Sequence, residues 1–332
     1  PTVKETYATP QHAAKLASAK AFLLARPLGV YTCGRAVPSD TSNSTNFHLV
    51  LWDFHLRRLT CGLQIELQVG SPNEALLQAL RTTTTKLVMQ ALRDAADATD
   101  SHAMVTILWS VDGSAVRIDV HVCPMPQVRM ASRRVKALRS NVLVNGAARN
   151  HPECKHSRWI ADRAPLERHQ TQVAASLKCE LHESILSAAT EDGDRALLEG
   201  LITNFFVREF RLPHVSLWLT FWSCATVKSG CVYTAAAGVL SGSTREMVLL
   251  ACASLGIPVV LEAPRLSEIA TWDAAFLTSA VRIIIPIERV LWRAPGDDPN
   301  STPRSHTLDT TTSEERVLQP LRSKICDLWR SC

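Results

Sequence analysis

The chain has 332 residues, 46% of them hydrophobic and 20% charged, a composition that excludes wholesale disorder, and its length exceeds what one core comfortably fills, so two domains are expected. A formal net charge of +5 spread over 36 basic and 31 acidic side chains gives no bulk attraction to nucleic acid. The densest basic run, Arg129–Arg139 (RMASRRVKALR), has no interleaved aromatic residue, so it reads as a solvated linker face and no nucleic-acid partner is expected.

The ten cysteines are scattered from Cys33 to Cys332 with no C-x-x-C pair and no zinc spacing, so neither a disulfide framework nor a metal site is expected. A reducing compartment follows: the cytoplasm, with a plastid as the alternative because the N-terminal residues are poor in acid. The longest apolar stretch, Leu212–Val227, is broken by Pro213 and His214 and is too short and polar to span a bilayer, so no membrane partner is expected.

Along the chain, Gly29–Ala36 (GVYTCGRA) has the β-branched and aromatic content of a strand, and the polar SDTSNSTN after it reads as a loop. The apolar run Phe47–Trp52 leads into DFHLRRL, a helix carrying Arg57 and Arg58 on neighbouring positions, of which at most one faces a site. A longer helix is predicted within Asn73–Ala96, weakened in its middle by Thr82–Thr85. His102–Val111 and Ala115–Val122 alternate well and are joined by Asp112-Gly113, a strong hairpin signal.

The first, smaller α/β domain is thus expected over residues 1–123, followed by a linker over 124–140. A larger domain is expected over 141–295, and a polar segment with a C-terminal helix over 296–332. In the larger domain Asn141–Asn145 reads as a strand, and the helix after Lys155 must accommodate Pro165 near its start. Ala196–Leu198 and Thr203–Val207 read as strands separated by Glu199-Gly200. Ser243–Leu255 reads as a helix capped by the Ser243/Glu246 pair and stopped by Gly256. Pro258–Leu261, Ala275–Ser279 and Ile283–Ile287 read as short buried strands, giving an α/β or α+β architecture.

Three features carry chemistry when read from the residues alone. Gly242-Ser243-Thr244 at a helix start offers unpaired N–H groups, hydroxyl donors and the positive end of the helix dipole, which suits a phosphate, although a well-capped helix is the commoner meaning. Arg57-Arg58 offers guanidinium groups suited to bidentate phosphate contact, with a solvated helix face as the commoner meaning. Glu199 lies in an apolar stretch, where a buried carboxylate needs a cation: a protonated pyridine nitrogen would serve, and so would an arginine.

The stretches LGVYTCGRA, LWDFHLRRLT, CKHSRWIADRAPLE, GDRALLEGLITNFFV, GVLSGSTRE, LGIPVVLEAPRLSEIATWDAAFLTS and IIPI, taken in this order, resemble the class IV aminotransferase family, the fold-type IV pyridoxal-phosphate enzymes, and its plant-type members most. The similarity runs from about Gly29 to Val290. It implies the two-domain, D-amino-acid aminotransferase-like α/β (α+β) fold, pyridoxal 5′-phosphate as cofactor and a homodimer. Lys155 becomes the Schiff-base lysine and Glu199 the partner of the pyridine nitrogen. Arg58, in the H-x-x-R-L pattern, becomes a phosphate contact joined by Ser243 and Thr244, with Ser279 standing near the place of a hydroxyl that many transaminases supply from a G-T pair. Tyr31 and Arg35 fall on the strand that borders the substrate side in relatives.

The implied activity is transfer of an amino group between an amino acid and a 2-oxo acid. The alternative is 4-amino-4-deoxychorismate lyase chemistry, releasing pyruvate and 4-aminobenzoate, which Lys155-His156 and Ala280 keep open. A third reading is a family-like protein that binds without turnover, against which retention of both Lys155 and Glu199 argues. The segment Arg208–Val232 departs from the family's pattern.

Overall fold

The computed structural model describes residues 2–5, 18–38, 47–68, 73–95, 102–125, 139–209, 230–294, 296–298 and 301–331. The expected loop 39–46, nearly all of the basic run and most of the divergent segment lie outside these residues. The chain divides into two units, Pro1–Val128 with Glu153–Asp162 and Trp329–Cys332, and Arg129–Pro152 with Arg163–Leu328. Glu153–Asp162, which lies beyond the expected linker in sequence, groups with the first unit and carries Lys155 there.

The first unit is built on a five-stranded sheet of order β1-β5-β4-β2-β3, formed by Thr2–Glu5 (β1), Val30–Pro38 (β2), Phe47–Leu49 (β3), Ala103–Asp112 (β4) and Ala115–Pro124 (β5). β1 runs parallel to β5, and the remaining pairs are antiparallel. The β4–β5 hairpin forms as the alternation predicts, with Asp112 paired to Ala115, so the loop is Gly113-Ser114 and Asp112 closes the strand. Ala19–Leu24 (α1), Trp52–Leu67 (α2) and Glu74–Ala95 (α3) are its helices. The threonine run does not break α3, because Thr84 faces inward and accepts a hydrogen bond from the Trp109 indole N–H at 3.0 Å. Packing overrides weak helix propensity here. Leu59, Leu63, Leu80 and Leu92 from the helices and Val105, Ile107, Trp109 and Ile118 from the strands fill one core.

The second unit contains Ser140–Ala147 (β6), Glu183–Ala189 (β7), Arg195–Gly200 (β8), Asn204–Glu209 (β9), Cys231–Tyr233 (β10), Val259–Val260 (β11), Trp272–Ser279 (β12), Ile283–Trp292 (β13) and Arg304–Thr307 (β14). Pairings β9–β12, β12–β13, β13–β6, β6–β7 and β7–β8 run in series, and the single pair Glu199↔Asn204 joins β8 back to β9 and closes the ring. Val144, Ile185, Leu197, Phe205, Leu277 and Ile285 belong to the unit's core.

Trp159–Asp162 (α4), which belongs to the first unit, precedes Ala164–Leu177 (α5) of the second, with Pro165 in the first turn, where a missing N–H costs little. Ser243–Ser254 (α6), Thr310–Ser313 (α7) and Gln319–Ser331 (α8) follow, the last supplying the expected C-terminal helix.

Two expected strand boundaries are corrected in this unit. Glu199-Gly200 is the end of strand β8, and the turn is Leu201–Thr203, because the Glu183 carboxylate on β7 holds that turn: its Oε1 accepts from Leu201 N at 3.2 Å and its Oε2 from Thr203 Oγ1 at 3.1 Å. The segment Pro258–Leu261 yields only the half-buried pair Val259–Val260, with Leu261 50% exposed. Gly200 has no room for a side chain, since a Cβ there would lie 2.1 Å from Thr203 Oγ1 and 2.8 Å from Glu183 Cγ. We expect Gly200→Ala to destabilise the protein by about 1–3 kcal/mol by crowding this turn, measured by urea unfolding. An unchanged midpoint would contradict this account of the turn.

Candidate active site

In the first unit the local structure supplies what the sequence around Lys155 lacks. The Lys155 carbonyl accepts from Tyr31 N at 2.8 Å, the Gly29 carbonyl accepts from Ser157 N at 2.9 Å, and Ser157 Oγ accepts from Gly29 N at 3.1 Å. The CKHS segment is therefore clamped onto the start of β2, with an antiparallel bridge between Val30 and His156. The Lys155 ammonium lies over the Tyr31 ring, 4.7 Å from its centroid, a cation–π contact that fixes a flexible side chain.

On α2, Arg57 is exposed and Arg58 is buried, so one arginine of the pair faces inward as expected. Arg58 Nη2 donates to Thr32 Oγ1, and Thr32 Oγ1 lies 2.7 Å from His55 Nδ1. Burial, followed by the charges of Arg58 and Lys155, holds the His55 imidazole well below its usual pKa. His55 is thus neutral at pH 7 and its Nδ1 accepts from the Thr32 hydroxyl, which leaves Thr32 Oγ1 to accept from Arg58. Burial also brings Arg58 down to about 10, and its guanidinium stacks over Phe54 at 5.3 Å. Further along β2, Arg35 Nη1 is 2.8 Å from His102 Nδ1, and its guanidinium lies 4.3 Å from the Trp329 ring centroid.

In the second unit Glu199 is 3% exposed at the ring closure. Its Oε2 accepts from Leu240 N at 2.9 Å and from Asn204 Nδ2 at 3.5 Å, and Asn204 Nδ2 also donates to the Leu240 carbonyl at 2.7 Å. Asn204 so links the acid to the chain leading into α6. Of the two cation partners left open for Glu199, this unit supplies the arginine: Arg149 Nε donates to Oε1 at 2.8 Å. Sequence reading did not name Arg149, and the only signal for it was the rule that a buried acid needs a cation.

The expected Ser243/Glu246 cap does not form. Gly242 is the N-cap in an extended conformation with no side-chain hydrogen bond, and Ser243 is the first helical residue. Asn204 sets that start, because a Cβ on residue 242 would lie 2.1 Å from Asn204 Oδ1. The consequence is an α6 N-terminus whose N-cap residue offers no side-chain cap, flanked by the half-buried Ser243 and the buried Thr244. Arg245, in the same turn, donates to the Ala235 carbonyl at 2.8 Å, and its buried Nε has no partner among the described residues. Gly256, at φ 65°, ends the helix as expected. Ser279 Oγ accepts from Arg282 N at 3.1 Å, which keeps the hydroxyl proton available for donation.

Glu183, beside this cluster, is pushed up to about 7 by burial, against the opposing pull of its hydrogen bonds to Thr203 and to the backbone of Ser184, Ile202 and Leu201. A folded-state value above the usual 4.5 means that the folded chain binds the extra proton, so this contribution to stability is full in acid and is lost as pH rises through about 7. We expect Glu183→Gln to flatten that dependence: its melting temperature gains on the wild type between about pH 5 and about pH 8. Parallel pH profiles for the two proteins would rule out a protonated Glu183.

The profile of the family described as Amino-transferase class IV matches residues 39–290, and the chain belongs to this family. No curated protein sequence matches the chain. The fold is similar to that of a hypothetical aminotransferase from Mycobacterium tuberculosis in its PLP-bound form (TM-score 0.58, 17% identity, 90% of this chain and 89% of that one). A structure described as a hypothetical aminotransferase from Mycobacterium tuberculosis in its alpha-ketoglutarate and PMP bound form is similar as well (TM-score 0.58, 16% identity, 90% and 89%). A third similar structure is a branched-chain aminotransferase from Thermoproteus uzoniensis with norvaline (TM-score 0.55, 16% identity, 91% and 86%).

Proposed function

We propose that this protein is a pyridoxal-phosphate-dependent aminotransferase acting on an amino acid and a 2-oxo acid. The observation that carries the reading is the Glu199–Asn204–Leu240 connection, which ties a buried carboxylate to a helix whose N-cap residue, Gly242, has no side chain to cap it. A carboxylate suits a protonated ring nitrogen and an uncapped N-terminus suits a phosphate. Pyridoxal phosphate carries both groups on one rigid ring, and PLP or PMP is named for two of the similar structures. The residues present fit this cofactor.

The cofactor, when bound, supplies the electron sink that makes a substrate's Cα–H bond acidic. The rest falls to this chain. Lys155 would hold the cofactor through its amine and, with that amine free, would be the base that accepts and holds the substrate's Cα proton. Glu199, as an anion, would pair with the protonated ring nitrogen. Ser243, Thr244 and the amides of the α6 N-terminus would bind the phosphate, with Ser279 as a further donor and Arg58 as the proposed guanidinium partner. Arg58 is suited to this because Thr32 and Phe54 fix its orientation before any ligand arrives. Tyr31, under the lysine, and Arg35 are assigned to the substrate side, and the protein is taken to act as a homodimer.

Incubation with L- and D-amino acids and 2-oxoglutarate, in parallel with aminodeoxychorismate, tests the reaction. Amino-group transfer supports the proposal. Release of pyruvate and 4-aminobenzoate replaces it with the lyase, and cofactor binding without turnover on either set replaces it with a non-catalytic role.

A further inference from the structure

Glu199 already has a cation on one side. Arg149, in the segment after β6, brings Nε to 2.8 Å and Nη2 to 2.7 Å of the same oxygen, Oε1, and the two side chains are only 7% and 4% exposed. Its Nη2 also donates to the Pro152 carbonyl at 2.6 Å, so the guanidinium is pinned to its own loop while it grips the acid. The opposite oxygen, Oε2, takes Leu240 N–H and Asn204 Nδ2. One other charged group acts on this carboxylate, Arg245 from α6, whose charge interacts with both Glu199 and Glu246, while Glu183 of β7 lies against the neighbouring Gly200.

An acid held in this way has Oε1 committed to the arginine, so a ligand cation can approach only the Oε2 side. The arginine also lowers the proton affinity of the carboxylate, so a proton shared with a ring nitrogen rests on the ring. We propose that Arg149 is the positioning residue that keeps Glu199 ionised and aims its second oxygen. The consequence for the cofactor rests on the preceding reading; the consequence for Glu199 itself does not.

Two measurements separate these. In apo protein, Arg149→Met leaves a buried carboxylate without its cation, so the folded state takes up a proton at a higher pH than the unfolded chain does. The variant's melting temperature relative to wild type should therefore be best in acid and fall as pH rises from about 5 to about 8. Arg149→Lys, which restores a charge, should follow the wild-type slope. All three proteins carry Glu183→Gln, which removes the titration of Glu183 from this window. A Met variant whose difference from wild type is the same across this range overturns the proposal.

With pyridoxal 5′-phosphate titrated by absorbance, the Met variant should lose affinity relative to wild type as pH falls, by about tenfold per unit once Glu199 carries a proton. Wild type that takes up no cofactor sinks the cofactor reading and leaves the apo measurement to decide on Arg149. Wild type that binds, with a Met-to-wild-type ratio independent of pH, overturns the role of Arg149 and leaves the cofactor reading standing. If Arg149→Met fails to fold, combining it with Glu199→Gln should restore folding and give a profile free of this pH dependence; a double variant no more stable than the single one counts against the proposal.

Discussion

Lys155→Ala is expected to lower turnover by at least about 10²–10⁴-fold, the usual contribution of a positioned proton-transfer group, and to abolish the long-wavelength absorption of the bound cofactor. The backbone of this segment does not depend on the side chain: Tyr31 N, Gly29 O and Gly29 N are bonded to Lys155 O, Ser157 N and Ser157 Oγ, and none of these atoms is lost in the variant. The half-buried side chain contributes its contact with Tyr31, so the stability change should stay within about 1 kcal/mol. Loss of activity in a protein that melts normally thus identifies a chemical role. A well-folded Lys155→Ala enzyme with near wild-type rates contradicts it.

Glu199→Gln should be costly in two ways. The amide keeps the shape of the acid and can still accept from Leu240 N, but it leaves the Arg149 guanidinium buried without its anion. Breaking one partner out of a buried ion pair costs about 3–5 kcal/mol, so a fall of that order is expected in urea unfolding. The rate should fall by a further large factor, because a neutral amide does not hold a protonated ring nitrogen, while phosphate contacts retain the cofactor. Full activity in this variant counts against the assignment, and unchanged stability counts against the importance of the Arg149 pair.

Much of the architecture can be read from the chain because it is set by local rules. The β4–β5 hairpin follows from two apolar, β-branched runs meeting at Asp112-Gly113, and the stop of α6 follows from Gly256. The features that escaped a sequence reading depend on residues brought in from elsewhere. Glu199-Gly200 looks like a turn until the Glu183 carboxylate, on another strand, is seen to hold Leu201–Thr203 instead. Ser243 looks like a cap until Asn204 is seen to hold Gly242 against it.

Lys155 shows the same limit at longer range. Its local sequence, HPECKH, is that of an exposed loop, and the clamp that defines its position joins it to β2 more than a hundred residues earlier. Family resemblance singles out this lysine because it compares whole motifs in order, which carries such long-range pairing implicitly. It did not find Arg149, since the apolar setting of Glu199 demands a cation without saying which one.

The central claim, that Lys155 and Glu199 together hold pyridoxal phosphate for amino-group transfer, is tested most directly by the absorption spectrum of the purified protein. Addition of pyridoxal 5′-phosphate should produce a long-wavelength band in wild type and not in Lys155→Ala, and a substrate amino acid should shift that band until a 2-oxo acid restores it. A spectrum that is the sum of free cofactor and protein, or a band as strong in Lys155→Ala as in wild type, would contradict the account.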